Sequence, residues 1–153
     1  MRKTAFIGHR RICQNNLAEE LNLTIEMQIQ SGCTHFIVGS HGEFDRLALS
    51  ACRTLRKQYP QLVIEVVITS LRAVNTDNFG QRYDDIETVL YEIEEVHYKR
   101  RITVSNQKMI DECDALICYV DEGAYQSGAK TALRYAQRKG LQIFNLWTDS
   151  AKN

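Results

Sequence analysis

Two kinds of apolar pattern alternate along the chain. The first is a short, mainly apolar run: "TAFIG" (4–8), "HFIVG" (35–39), "LVIEVVI" (62–68, apolar except for Glu65), "ALICYV" (115–120) and "LQIFNLW" (141–147). Runs of this length without polar alternation predict strands buried on both faces. The second is a stripe with helical spacing. Leu17, Leu21, Ile25 and Ile29 recur every fourth residue behind the capping signal of Asn16 and Glu19, and Ser31-Gly32 supplies the stop. Phe44, Leu47, Ala48, Ala51, Cys52 and Leu55 form the clearest stripe, which ends before Tyr59-Pro60. A third helix is predicted around 105–112, capped by Ser105. A fourth follows a Ser127 cap, with Ala129, Ala132, Leu133 and Ala136 inward and Gly140 as its stop. Residues 69–81 read as loop, and "YDDIETVLYEI" is ambiguous between strand and helix.

Apolar strands alternating with amphipathic helices predict an α/β fold: a single Rossmann-like domain over 1–153, its sheet mainly parallel and covered by helices on both faces. Sheets of this kind bind ligands outside the carboxyl ends of their strands, near helix N-termini. The predicted rim therefore comprises Gly8 to Arg11, Gly39 to Asp45, Thr69 to Arg72, and Tyr119 to Lys130. Gly39 and Gly128 are expected at that same edge.

The rim residues suggest an anion site. Gly39 and Gly42 allow a sharp turn and close approach of backbone to a ligand. The N–H groups that open the following helix, and those after Ser127-Gly128, could serve as donors to a phosphate or carboxylate. Arg10 could neutralise that anion, whereas Arg11 reads equally as a solvated charge. Asp45 reads either as a first-turn acid favoured by the helix dipole or as an acceptor for ribose or base. Glu43 has the same two readings. His9, Ser40 and His41 lie in these turns and join the candidate ligand-binding set with Gly8 and Asn106. No catalytic residue, metal ligand or cofactor is assigned.

Composition narrows the classes. Nineteen basic residues balance nineteen acidic ones, so no global field draws nucleic acid or an anionic membrane. The charges are unevenly spread: residues 84–122 carry eleven acids against four bases, which makes any anion site a local one. No apolar run approaches a membrane span. The five cysteines, Cys13, Cys33, Cys52, Cys113 and Cys118, are an odd set without metal-ligand spacing, as expected of a reduced, cytoplasmic chain.

Three segments carry a resemblance: "AFIGHR", "FIVGSHGEFD" with its helix, and "MIDECDALICYVDEGAYQSGAKTALRYAQRKGLQIFNL". Together, and in this order over nearly the whole chain, they resemble the bacterial YpsA-like branch of the SLOG superfamily. That superfamily groups Rossmann-like relatives of the DNA-processing protein DprA and of the Lonely Guy phosphoribohydrolases. The resemblance implies a nucleotide or nucleotide-derived ligand at the rim. It carries onto Gly8, His9 and Arg10, onto Gly39, Gly42, Phe44 and Asp45, and onto Asn106, Met109, Asp114, Gly128, Tyr135 and Ala136. The chain departs from the family at Ser105, where relatives have arginine, and at Ser127-Gly128, where they have paired glycines. Lonely Guy enzymes also carry a loop glutamate that assists N-glycosidic cleavage. Here "QSGAKTALRYA" has no acid.

The expected function is therefore binding of a nucleotide-like phosphorylated small molecule. The alternative is an N-glycosidic-bond hydrolase or transferase using Glu43 or Asp45. DprA-like DNA binding ranks last, because no basic stripe with interleaved aromatics exists. No membrane partner is expected, and a homo-oligomer is compatible with the sequence.

Overall fold

The computed structural model describes residues 2–68, 87–90, 98–123 and 127–148. Its elements are β1 (Arg2–Gly8), α1 (Leu17–Gln30), β2 (Cys33–Val38), α2 (Glu43–Gln58), β3 (Val63–Ile68), β4 (Glu87–Leu90), α3 (Tyr98–Asp111), β5 (Ala115–Tyr119), α4 (Gly128–Lys139) and β6 (Gln142–Asn145). Among the described residues six strands form one sheet, in the order β4-β3-β2-β1-β5-β6. Every neighbouring pair is parallel.

The central strand is β1, and its register places Phe6 beside Val38 on one flank and Ile117 on the other. Alternate residues then enter different cores. Phe6, Phe36, Val38, Ile64 and Ile117 pack under α1 and α2, with Leu21, Ile25, Phe44 and Cys52. Ala5, Ile7, Ile37, Leu116 and Cys118 pack under α3 and α4, with Met109, Ile110, Leu133 and Ala136. Burial on both faces explains why the strands lack polar alternation. Each large apolar side chain fully withdrawn from water stabilises this sandwich by roughly 1.5–3 kcal/mol. The chain winds outward from β1 to β4 and returns to β5 on β1's other side. The strand order thus reverses beside β1, where a crevice opens at the strands' carboxyl ends.

The element boundaries correct three expectations. Asn16 stands at the start of α1, but it is left-handed (φ 64°) and its side chain makes no cap hydrogen bond. Ser105 does not cap α3; it lies in the helix interior and is buried. The helix begins about two turns earlier, at Tyr98, and the β-branched run Ile102-Thr103-Val104 hides that start, because such residues have modest helix propensity. The ambiguous stretch contributes β4 at Glu87–Leu90, and its remainder lies outside the described residues, as does the 69–81 segment with its rim residues Thr69 to Arg72. The Ser127 cap and the Gly140 stop are present: Ser127 Oγ accepts from the Lys130 N–H at 3.1 Å, and Gly140 is left-handed (φ 81°). Among the described residues, no helix is long and apolar enough to cross a membrane.

Candidate functional site

A cleft of about 400 Å³ opens at the reversal of strand order. The end of β1 gives it Ile7, Gly8, His9 and Arg10. The loop before α2 and its first turn add His41, Gly42 and Asp45, α3 adds Ile102, Thr103 and Asn106, and the start of α4 adds Ser127, Gly128 and Ala129. Nine of the eleven candidate residues read from the sequence therefore line one cavity. Gly39 and Ser40 do not.

Two glycines permit the loops to close on one another. A Cβ at Gly8 would stand 2.4 Å from Phe44 Cγ, so the end of β1 lies flat on that buried ring. A Cβ at Gly42 would stand 2.8 Å from Arg10 Cα, so the loops after β1 and β2 meet backbone to backbone. The Glu43 N–H completes that join by donating to the Arg10 carbonyl at 2.9 Å. The Glu43 carboxylate accepts from the Ile12 N–H at 2.6 Å, and its side chain does not line the cleft.

The loop into α2 is spent on itself. Asp45 Oδ2 accepts the His41 N–H at 2.8 Å, and the same carboxyl receives the Gly42 N–H. Gly39 makes room for it, since a Cβ there would come within 3.0 Å of Oδ2. Ser40 Oγ donates to the Val67 carbonyl at 2.9 Å. Gly39 and Ser40 thus shape the loop and tie it to β3. Asp45 is no mere solvated first-turn acid: it ties the loop internally from a half-buried position, and it still borders the cleft.

The start of α4 is open by contrast. Ser127 Oγ holds the Lys130 N–H, and the Ser127 carbonyl accepts from Thr131. The amides of Gly128 and Ala129, both on the cleft wall, lie outside the helix's own hydrogen-bond ladder. Across the same cavity Arg10 is exposed and has no ion-pair partner among the described residues. N–H groups without a partner among the described residues, a helix N-terminus and a guanidinium together suit an oxyanion.

Burial tunes the titratable groups of the cleft. It pushes the Asp45 carboxyl up to about 6, against the opposing pull of its two N–H bonds. Burial also lowers His41, and the nearby Arg10 charge lowers it further. The Nε2 of His41 is buried without a hydrogen-bond partner among the described residues. His9 is lowered by burial as well, with Asp121 pulling weakly the other way. Its Nε2 accepts the Asp121 N–H at 2.8 Å, which fixes a neutral ring with its proton on Nδ1. Its own N–H extends the β1–β5 pairing by donating to the Tyr119 carbonyl. His9 also packs edge-on against Tyr119 and Trp147.

Ile102, Thr103 and Ala129 belong to the wall but were not picked out from the sequence as site residues. Ile102 and Thr103 sit one turn before Asn106 on α3, so the correct start of that helix would have placed them. Arg11, Asp121 and Glu122 do not line the cleft, and Ser105 is buried away from it. Of the cysteines, Cys13 is exposed and the other four are buried. Among the described residues, no group of three or more His, Cys, Asp or Glu side chains could hold a metal.

No family model matches the chain, and no curated protein matches it. Among solved structures the chain is similar to a probable mandelate racemase from Alicyclobacillus acidocaldarius, at 16% identity and a TM-score of 0.41. The likeness covers 93% of this chain and 41% of that one, so the chain spans about two-fifths of that protein's length. A likeness of this degree bears on neither ligand nor activity.

Proposed function

We propose that the cleft binds a nucleotide or a nucleotide-derived phosphorylated ligand, and that the chain is a YpsA-like member of the SLOG superfamily. The observation that carries this reading is the convergence of Arg10 and the open start of α4 on one cavity at the reversal of strand order. The phosphate would take its hydrogen bonds from the Gly128 and Ala129 amides and its countercharge from Arg10. Asn106, which carries both a donor and an acceptor, would meet the sugar or base. A cavity of about 400 Å³ falls within the usual size of small-molecule sites.

One observation favours a second reading, cleavage of an N-glycosidic bond. Asp45 borders the cleft with its carboxyl raised to about 6, in the range a general acid requires. Glu43 drops out of that role, because its carboxylate holds the Ile12 N–H away from the cavity. A thermal-shift screen against nucleotides, followed by product analysis of each ligand that stabilises the protein, separates the readings. Binding alone returns a nucleoside monophosphate unchanged after long incubation. Release of free base, lost in Asp45→Asn, would establish turnover. Absence of any stabilising nucleotide would overturn both.

A further inference from the structure

The cleft sets a carboxyl beside the place where an anion would bind, and nothing ionic among the described residues holds that carboxyl charged. Asp45 is braced by the His41 and Gly42 N–H groups and rests on the bare face of Gly39. It has no ion-pair partner among the described residues. The titratable groups that line the cleft with it are His9 and Arg10 after β1 and His41 in its own loop; Glu43 and Arg46 flank it on α2, and Arg101 and Lys130 adjoin the lining residues Ile102 and Ala129 in sequence. None of them figures among the influences on its titration, which are burial and the two N–H bonds.

Resting on the ligand-binding reading above, we infer that the cleft takes up its anionic ligand together with a proton, and that Asp45, in neutral form, donates the hydrogen bond of its carboxyl to that ligand. The physical reason is that two negative charges in one poorly solvated cavity repel strongly, so one of them is neutralised by a proton. The balance is simple: one O–H bond forms on the carboxylate with a proton that hydronium or a buffer acid gives up, and no other covalent bond changes. His41 works in the same direction, because an anion offsets the Arg10 charge that opposes its protonation. The ligand class implied is an oxyanion that offers an acceptor to a protonated carboxyl. A ligand presenting only hydroxyl donors at this point would require the ionised form. Asp45 is then a specificity-determining residue, selecting charge state through its own.

The test is calorimetric titration of the full chain with adenosine 5′-monophosphate, ribose 5-phosphate and inorganic phosphate at pH 6, 7 and 8. Each titration is run in two buffers of different ionisation enthalpy. For at least one probe, wild-type protein is expected to take up protons on binding near pH 7. Asp45→Asn keeps the carbonyl acceptor and replaces the acidic O–H with an N–H donor, so it mimics the neutral acid. Its affinity relative to wild type is expected to rise about tenfold or more between pH 6 and 8, and most of the proton uptake is lost. The phosphate's own titration near pH 6 is common to both proteins and cancels in that ratio. Binding without proton uptake, or weaker binding by Asp45→Asn than by wild type at pH 8, would overturn the inference and leave the ligand-binding reading standing. Failure of all three probes to bind at any pH would overturn both. Should the variant not fold, the wild-type proton count is taken with inorganic sulfate, which does not titrate in this range, and binding of sulfate without proton uptake would overturn the inference.

Discussion

The two helix starts that border the cleft use their backbone in opposite ways. At α2, the His41 and Gly42 amides go to Asp45 and the Glu43 amide goes to the Arg10 carbonyl. At α4, Ser127 satisfies Lys130 through its hydroxyl and Thr131 through its carbonyl, and the Gly128 and Ala129 amides have no partner among the described residues. In sequence both look like small-residue turns feeding a helix, and both suggest an anion site. The structure separates them: the loop into α2 and that helix's first amide form a closed joint that fixes the rim, whereas the first two residues of α4 lie on the cleft wall. A glycine therefore means different things in the two places. At Gly42 it permits two backbones to touch, whereas at Gly128 an added Cβ would meet nothing within 4 Å.

The largest effect should come from breaking the closed joint. Gly42→Ala forces a Cβ to 2.8 Å from the Arg10 backbone, which cannot swing aside as a side-chain tip can. Overpacking of this kind costs about 2–3 kcal/mol. For a chain of this size, that lowers the melting temperature by several degrees. Thermal denaturation of the variant checks it, and an unchanged midpoint would show that the joint yields easily.

Next in size is the charge stored at that joint. The folded-state value of Asp45, about 6, lies above its ordinary 3.8. The stability of holding the carboxyl neutral is fully present below the ordinary value, and it is lost as pH rises through about 6. Asp45→Asn, neutral at every pH, should therefore exceed wild type by on the order of 1–2 kcal/mol at pH 8. The difference should shrink toward zero near pH 4. Urea denaturation at the two pH values measures it. A variant less stable than wild type at pH 8 would mean that the ionised carboxylate is what the loop requires.

The open end should respond more gently. Ser127→Ala removes the acceptor of the Lys130 N–H and should cost about 1 kcal/mol, the usual loss for a helix cap, read by the same denaturation curves. Gly128→Ala should alter stability least, by about 0.5 kcal/mol or less, because nothing crowds the added methyl. The pair Gly42→Ala and Gly128→Ala sharpens the comparison, since one chemical change at two helix starts should give two different outcomes. Equal destabilisation by both would erase the distinction.

Much of the architecture was legible in the chain because burial on both faces leaves a plain mark. Five of the six strands fall on the mainly apolar runs, and the stripe from Phe44 to Leu55 marks α2 within a residue of its start. What escaped was local. Asn16 offers a capping side chain, but its backbone is left-handed and the side chain makes no cap bond. Ser105 looks like a cap because Ile102, Thr103 and Val104 before it weaken the helical signal. At the site, periodicity brought the loops to one edge, and nine of the eleven named residues do share a cavity. It could not show that the His41, Gly42 and Glu43 amides are consumed, because the acceptors are a carboxylate one turn ahead and a carbonyl from the loop after β1. Nor could it show that Gly39 serves Asp45. Contacts of that kind depend on the angle at which two loops cross, which no spacing along the chain encodes.

The most direct measurement is an amide-resolved nuclear magnetic resonance titration with adenosine 5′-monophosphate at pH 6.5. If the open helix start receives the phosphate, the Gly128 and Ala129 amides should shift most, moving toward the values of strongly hydrogen-bonded groups. The Glu43 amide, already committed to the Arg10 carbonyl at 2.9 Å, should move far less. Largest shifts at Gly42 and Glu43, with Gly128 and Ala129 unmoved, would contradict the division between the closed and the open helix start.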